Sequence, residues 1–191
     1  MAQSIADQKA ALRAEMRQRR KTAHAAADGA HYRAAAMLFT ETFPAPVCVA
    51  GYWPTGSEFD PRPLMQAVQN QGGRLALPVI DSEAMSFRYW IWGQELEIGP
   101  YGIAAPPPDA PLAAPDIVIA PLIAMGRDGH RLGQGGGYYD RAIAVFRSQN
   151  HAVTVVGLGY DGQLLETVPH EAHDARLDYV LTPNTVLRVK D

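Results

Sequence analysis

The amino-acid sequence predicts an α/β fold: a single domain over residues 1–191, with a largely parallel sheet flanked by helices on both faces. Three observations carry this. Short apolar runs alternate along the chain with helix-length patterns, as parallel strands joined by helical crossovers require. One of those runs, Ile117 to Ile123, is a continuous apolar stretch, as expected of a strand covered on both faces. A chain of 191 residues, 47% apolar and 19% charged, has the balance of a globular protein and fits one domain better than two.

The elements follow in order. Ser4-Ile5-Ala6-Asp7 has capping-box spacing, with an acid in the first turn, and opens a helix. Ile5, Leu12 and Met16 recur on it at helical spacing, and Lys9 and Arg13, four apart, project from one face. A second helix is expected from about Asp28 to Thr42, closed by Pro44 and Pro46. Val47 to Trp53 reads as a strand. Pro61 to Gln71 reads as a helix ended by Gly72-Gly73, Arg74 to Ile80 as the next strand, and Phe87 to Trp92 as another. The proline-rich stretch from Gly99 to Pro115 reads as an extended surface connection. Ile117 to Ile123 is a strand, Tyr138 to Phe146 a helix, Val153 to Leu158 a strand, and Asp178 to Leu181 a short final strand.

Composition excludes several classes. A net charge of −3, from 17 basic and 20 acidic residues, gives no electrostatic reason for a nucleic-acid partner. The one cysteine, Cys48, lies in an apolar run; it reads as a small buried hydrophobe and suits a reducing cytoplasm. The first twenty residues are polar and basic without an apolar export segment. The longest apolar stretch falls well short of the roughly 20 residues a membrane helix needs. A cytoplasmic protein without a membrane partner, monomeric or weakly homo-oligomeric, is expected.

The most informative segment is Arg131-Leu132-Gly133-Gln134-Gly135-Gly136-Gly137-Tyr138-Tyr139-Asp140-Arg141. It follows an apolar strand and precedes a helical pattern. Four glycines in five positions let the backbone pass close to a ligand and aim N–H groups at it. The following helix adds its positive end, and Arg131 a charge suited to phosphate. This is a phosphate cradle, but of neither common type: it has no G-x-x-x-x-G-K-[ST], and Tyr138 stands where G-x-G-x-x-G needs glycine.

The segment closely resembles the signature of the 5-formyltetrahydrofolate cyclo-ligase family, roughly R-L-G-x-G-x-G-Y-Y-D, which reads from Arg131 to Asp140 without a break. Lys9-Ala10-Ala11-Leu12-Arg13 resembles the family's basic opening helix, and Pro54 to Asp60 its substrate-side loop. Gly157 to Gln163 and Pro169 to Asp174 resemble its C-terminal blocks. The chain departs from the family pattern at Met125-Gly126, where a Phe-Asp type pair is usual, and at Ala105-Pro106, where Glu-Pro is usual.

The resemblance implies that ATP phosphorylates the formyl oxygen of 5-formyltetrahydrofolate and that ring closure then gives 5,10-methenyltetrahydrofolate. It implies ATP contacts from Lys9, Arg13 and the loop Arg131, Leu132, Gly133, Gln134, Gly135, Gly136, Gly137, Tyr138 and Tyr139. Gln134 to Tyr138 would also touch the folate. Glu58 would face the pterin, since a carboxylate can accept two hydrogen bonds from an amino-pyrimidinone edge, with Trp53 as a neighbouring apolar surface. Asp140 and Asp174 would hold Mg²⁺, an ion that takes one or two carboxylates beside phosphates and water. His170 and His173 lack zinc-motif spacing and show no third ligand in sequence. A paralogue with another substrate, a non-catalytic folate-binding module and a sugar-phosphate isomerase-like enzyme are the rival readings. The retained Glu58 argues against the first, and the joint presence of Lys9, Arg13, Asp140 and Asp174 against the second. The third would need a phosphate site but no ATP hydrolysis.

Overall fold

The computed structural model describes residues 3–44, 47–82 and 84–190. It begins with α1 (Ile5–Ala26), whose N-cap is Ser4: its Oγ accepts from the Asp7 N–H at 3.1 Å and donates to Asp7 Oδ2 at 2.6 Å. The helix is built mostly from alanine and long unbranched side chains, the best helix formers. Its inward stripe is unusual. The buried residues are Lys9, Met16 and Arg20, whereas Ile5, expected on an apolar face, is exposed. This helix therefore presents charge to the protein body. Asp28 caps α2 (Gly29–Thr42) by accepting from the N–H groups of Ala30 and His31 at 2.9 and 3.3 Å. Pro44 follows the helix; Pro46 lies outside the described residues.

The main sheet contains β1 (Cys48–Ala50), β2 (Arg74–Asp81), β3 (Ala84–Trp90), β6 (Ile117–Ala120), β9 (Thr154–Leu158), β11 (Tyr179–Leu181) and β12 (Val186–Arg188). Their order is β12-β11-β9-β6-β1-β2-β3. The five central strands pair in parallel, and the two edge strands are antiparallel.

Alternation along the central strands sorts the core into two layers. Val49, Ile117 and Ile119 face Phe39 of α2 and Leu64, Met65 and Val68 of α3 (Arg62–Asn70). Cys48, Ala50 and Val118 face the other way, onto Ala142 of α4 (Tyr138–Ser148). The expected largely parallel sheet with helices on both faces is thus observed. Cys48 is fully buried, and burial pushes its thiol up.

Four expectations are corrected. The first strand stops at Ala50 rather than Trp53; after Gly51 the chain leaves the sheet and forms a loop. The run Ile117 to Ile123 divides at Pro121, which cannot donate to the ladder, and its far side leads into β7 (Ala124–Gly126). That strand forms a small second sheet with β8 (Arg131–Leu132) and β10 (Leu164–Leu165). The proline-rich stretch is not simply extended: β5 (Ala104–Ala105) pairs with β4 (Glu97–Ile98) as a short antiparallel hairpin. Asp178 to Leu181 is not the last strand, because β12 follows it.

Candidate active site

The parallel strands β1, β2 and β6 all run out on one side, and beyond their carboxyl ends lies a cleft of about 1210 Å³ lined by Tyr52, Trp53, Pro78, Val79, Pro121 and Leu122. This is where open α/β sheets bind ligands. The volume exceeds that of ordinary single-ligand sites, about 300–1,000 Å³, so two substrates can share it. The wall is completed by α1, by the glycine segment, and by the β4–β5 hairpin with Ile98 and Tyr101.

The glycine segment forms one end. Gly135 has φ +111° and Gly137 φ +66°, left-handed conformations that side chains rarely adopt. Gly137 is the N-cap of α4, so the helix's positive end opens beside the loop. Among the described residues, the N–H groups of Gln134, Gly135, Gly136 and Gly137 bond no protein acceptor. The loop is also held in place from α1: Arg13 Nε donates to the Gly133 carbonyl at 2.9 Å, and Arg17 to Gln134 Oε1 at 3.0 Å.

Two of the expected phosphate cations, Lys9 and Arg131, pair with the expected metal carboxylates, Asp174 and Asp140. Lys9 Nζ donates to Asp174 Oδ2 at 2.6 Å and Glu171 Oε2 at 2.7 Å. Burial works against the ammonium, but these two partners overcome it and raise the Lys9 pKa. For Asp174, burial works to raise the pKa, yet Lys9 and the Glu171 N–H hold it below the usual range. Arg131 donates to Asp140 Oδ1 at 2.7 Å and to the Ala175 carbonyl at 2.5 Å. The same Asp140 oxygen accepts from the Ala175 N–H at 3.0 Å. Thus the start of α4 and the turn carrying Asp174 are buckled together, and both carboxylates line the cleft.

The other end is a polar point set among aromatic rings. Glu58 lines the cleft from the loop after β1. Its Oε2 accepts from the Thr55 N–H at 2.9 Å and Thr55 Oγ1 at 3.1 Å. The loop is held by Tyr52, whose hydroxyl donates to the Phe59 carbonyl at 2.7 Å. Trp53 stands edge-on to Trp90 at 5.9 Å between centroids, with the Arg62 guanidinium over its ring. Desolvation, with Glu58 nearby, drives the Tyr139 phenol well above its ordinary pKa, so it stays neutral.

The match to the 5-formyltetrahydrofolate cyclo-ligase family covers residues 5–183. The chain belongs to this family. It is 32% identical over 144 residues to the 5-formyltetrahydrofolate cyclo-ligase of Mycolicibacterium smegmatis, covering 71% of this chain and 73% of that one. It is 34% identical over 145 residues to that of Escherichia coli K12, covering 72% and 79%. The structure of Aquifex aeolicus 5,10-methenyltetrahydrofolate synthetase is similar with a TM-score of 0.73, at 26% identity and 94% coverage of both chains.

Seen as a cyclo-ligase family member, the chain places every expected site residue in or directly beside the cleft. Reading the sequence missed Arg17, Arg20, Tyr101 and Glu171. For the two arginines a signal existed, since Arg17 lies one helical turn beyond Arg13 and Arg20 two. The departure at Met125-Gly126 has a physical counterpart. A Cβ on Gly126 would sit 2.0 Å from Asp128 Oδ1, so the Asp128 carboxylate occupies the space a side chain at 126 would fill. There it accepts from the N–H groups of His130 at 3.1 Å and Val168 at 3.4 Å. At the second departure, Ala105 is buried in β5 and Pro106 lines the cleft. His170 and His173 do not converge: His170 stacks on His130 beside Asp128, and His173 lies with Glu171 and Asp174.

Proposed function

We propose that this protein uses ATP to convert 5-formyltetrahydrofolate to 5,10-methenyltetrahydrofolate, releasing ADP and phosphate. The observation that carries the reading is the division of one cleft: a glycine cradle with cationic side chains at one end, and a carboxylate among aromatic rings at the other. The N–H groups of the cradle and the α4 N-terminus suit the phosphate chain. Glu58 suits the amino-pyrimidinone edge of a pterin, and Trp53 its apolar flank.

The formyl oxygen attacks the γ-phosphorus, and the bond to ADP breaks. N10 then attacks the activated formyl carbon, the carbon–oxygen bond breaks, and phosphate leaves with that oxygen, while the N10 proton ends on phosphate. No protein nucleophile is required, so the chain's contribution is placement and charge. Lys9, poised between two carboxylates, supplies positive charge to the phosphates, and Arg13 fixes the loop that cradles them.

Mg²⁺ fits the donor set. Asp140 and Asp174 would offer hard oxygen donors in the number this ion takes, from two segments joined by the Ala175 N–H that donates to Asp140. When bound it supplies charge neutralisation on the phosphates. A cytoplasmic setting and a monomeric or weakly associated state complete the reading; no helix is long and apolar enough to cross a membrane among the described residues.

The test is incubation with 5-formyltetrahydrofolate, with and without Mg-ATP. The methenyl chromophore should grow only when both are present. Tight folate binding with no chromophore would instead mark a binding module.

A further inference from the structure

We propose that Arg20 is a positioning residue for folate: it compensates the charge of Glu58 from behind while leaving a carboxylate oxygen free for the substrate. The inference rests on the reading that Glu58 receives the pterin. Arg20 lies two helical turns beyond Arg13 on the inward stripe of α1, is 7% exposed, and does not line the cleft. Its Nε donates to Ser57 Oγ at 3.2 Å, and its Nη1 to the Leu122 carbonyl at 3.3 Å. The same Nη1 stands 3.8 Å from Glu58 Oε1. That distance is an ion pair without a hydrogen bond. The other oxygen, Oε2, already accepts twice from Thr55. Oε1 thus keeps its lone pairs for a donor arriving in the cleft, while a buried cation offsets the charge that substrate will desolvate.

The contacts also explain the choice of arginine. One planar fork reaches the Glu58 loop through Ser57 and the cleft floor through Leu122, which a single ammonium cannot do in the same geometry. The Leu122 carbonyl is shared with Gln163 Nε2 at 3.1 Å, so the floor is fixed independently. What Arg20 adds is the register between that floor and Glu58. The charge at this point of α1 therefore serves folate, whereas Lys9 and Arg13 on the same stripe serve the phosphate end.

The experiment compares steady-state KM and kcat for 5-formyltetrahydrofolate and for Mg-ATP in wild type, R20Q, R20K, E58Q and R20Q/E58Q, with thermal melting of each. R20Q keeps a donor for Ser57 or Leu122 and removes the charge. It should raise the folate KM on the order of tenfold, within the range for residues in contact, with the ATP KM within about twofold. R20K should recover only part of the loss, because the ammonium keeps the charge but cannot reach Ser57 and Leu122 together. In the E58Q background, R20Q should add less than about twofold, because both act on one contact. If E58Q weakens folate while R20Q does not, or if the two losses multiply, the role of Arg20 is overturned and that of Glu58 stands. An unchanged folate KM in E58Q overturns both. Should R20Q fail to fold, R20K alone decides: its folate KM must lie above wild type with the ATP KM unmoved.

Discussion

The two ends of the cleft are made differently. The end proposed for phosphate is backbone and charge: glycines at positive φ, open N–H groups, and cations paired with carboxylates. The end proposed for folate is one carboxylate held by its own loop: Glu58 accepts twice from Thr55, and the Tyr52 hydroxyl ties that loop down at Phe59. The first is sensitive to any side chain at its positive-φ glycines, Gly135 and Gly137. The second depends on matching one carboxylate's lone pairs to incoming donors. Phosphates are recognised by geometry common to every nucleotide, whereas a pterin edge must be matched donor for acceptor.

The largest break in this comparison comes at the loop. Gly137→Val and Gly135→Val place a branched side chain at φ +66° and +111°, a strain of about 1–3 kcal/mol each, and block backbone approach to phosphate. Titration calorimetry with a non-hydrolysable ATP analogue should show at least tenfold weaker binding. Gly136→Val should also weaken nucleotide binding, since its Cβ would press on the Tyr138 ring at 3.0 Å. Gly133→Ala is the contrast, because a Cβ there meets nothing within 4 Å; it should fold and melt like wild type.

Next come the carboxylates. Asp140→Asn and Asp174→Asn should each lower turnover on the order of 10- to 100-fold with folate binding nearly intact. The double variant should be little worse than the weaker single, since both serve one ion. Rate against Mg²⁺ concentration is the measurement; wild-type turnover in both singles at limiting Mg²⁺ would remove them from the metal site. At the folate end, Glu58→Gln turns an acceptor into a donor facing the pterin's own donors. It should cost about 1–3 kcal/mol of folate binding and leave ATP affinity unchanged; equal losses for both ligands would blur the division of the cleft.

The smallest effect is on stability. The Asp174 pKa is lowered, so its contribution is present above the ordinary value of 3.8 and lost as pH falls through the lowered one. The Lys9 pKa is raised, so its contribution is present below 10.5 and lost as pH rises through the raised one. Lys9→Met should lower Tm near neutral pH by about 2–4 °C, the shift that about 1 kcal/mol gives at this chain length. The gap to wild type should close at both extremes; a gap constant with pH would mean the ion pairs contribute nothing.

These differences also explain what could be read from sequence. The glycine loop was legible because its ligand-facing atoms are consecutive in the chain. The alternation of apolar runs and helices was legible because each period is local. The folate end was not, beyond Glu58 and Trp53. Helical spacing from Arg13 marks Arg20, but not its partners Ser57 and Leu122, which lie 37 and 102 positions away. The ion pairs of Lys9 with Asp174 and of Arg131 with Asp140 were hidden similarly: each partner was visible as a charge, but not as a pair. The hairpin of β4 and β5 was masked by its prolines.

The claim that joins the two ends is that ATP delivers its γ-phosphoryl group to the formyl oxygen of the folate. The direct measurement is the fate of that oxygen. With 5-formyltetrahydrofolate labelled with heavy oxygen in the formyl group and unlabelled Mg-ATP, the account predicts one labelled oxygen in each released phosphate. Labelled water and unlabelled phosphate, at a normal rate of methenyl formation, would contradict it.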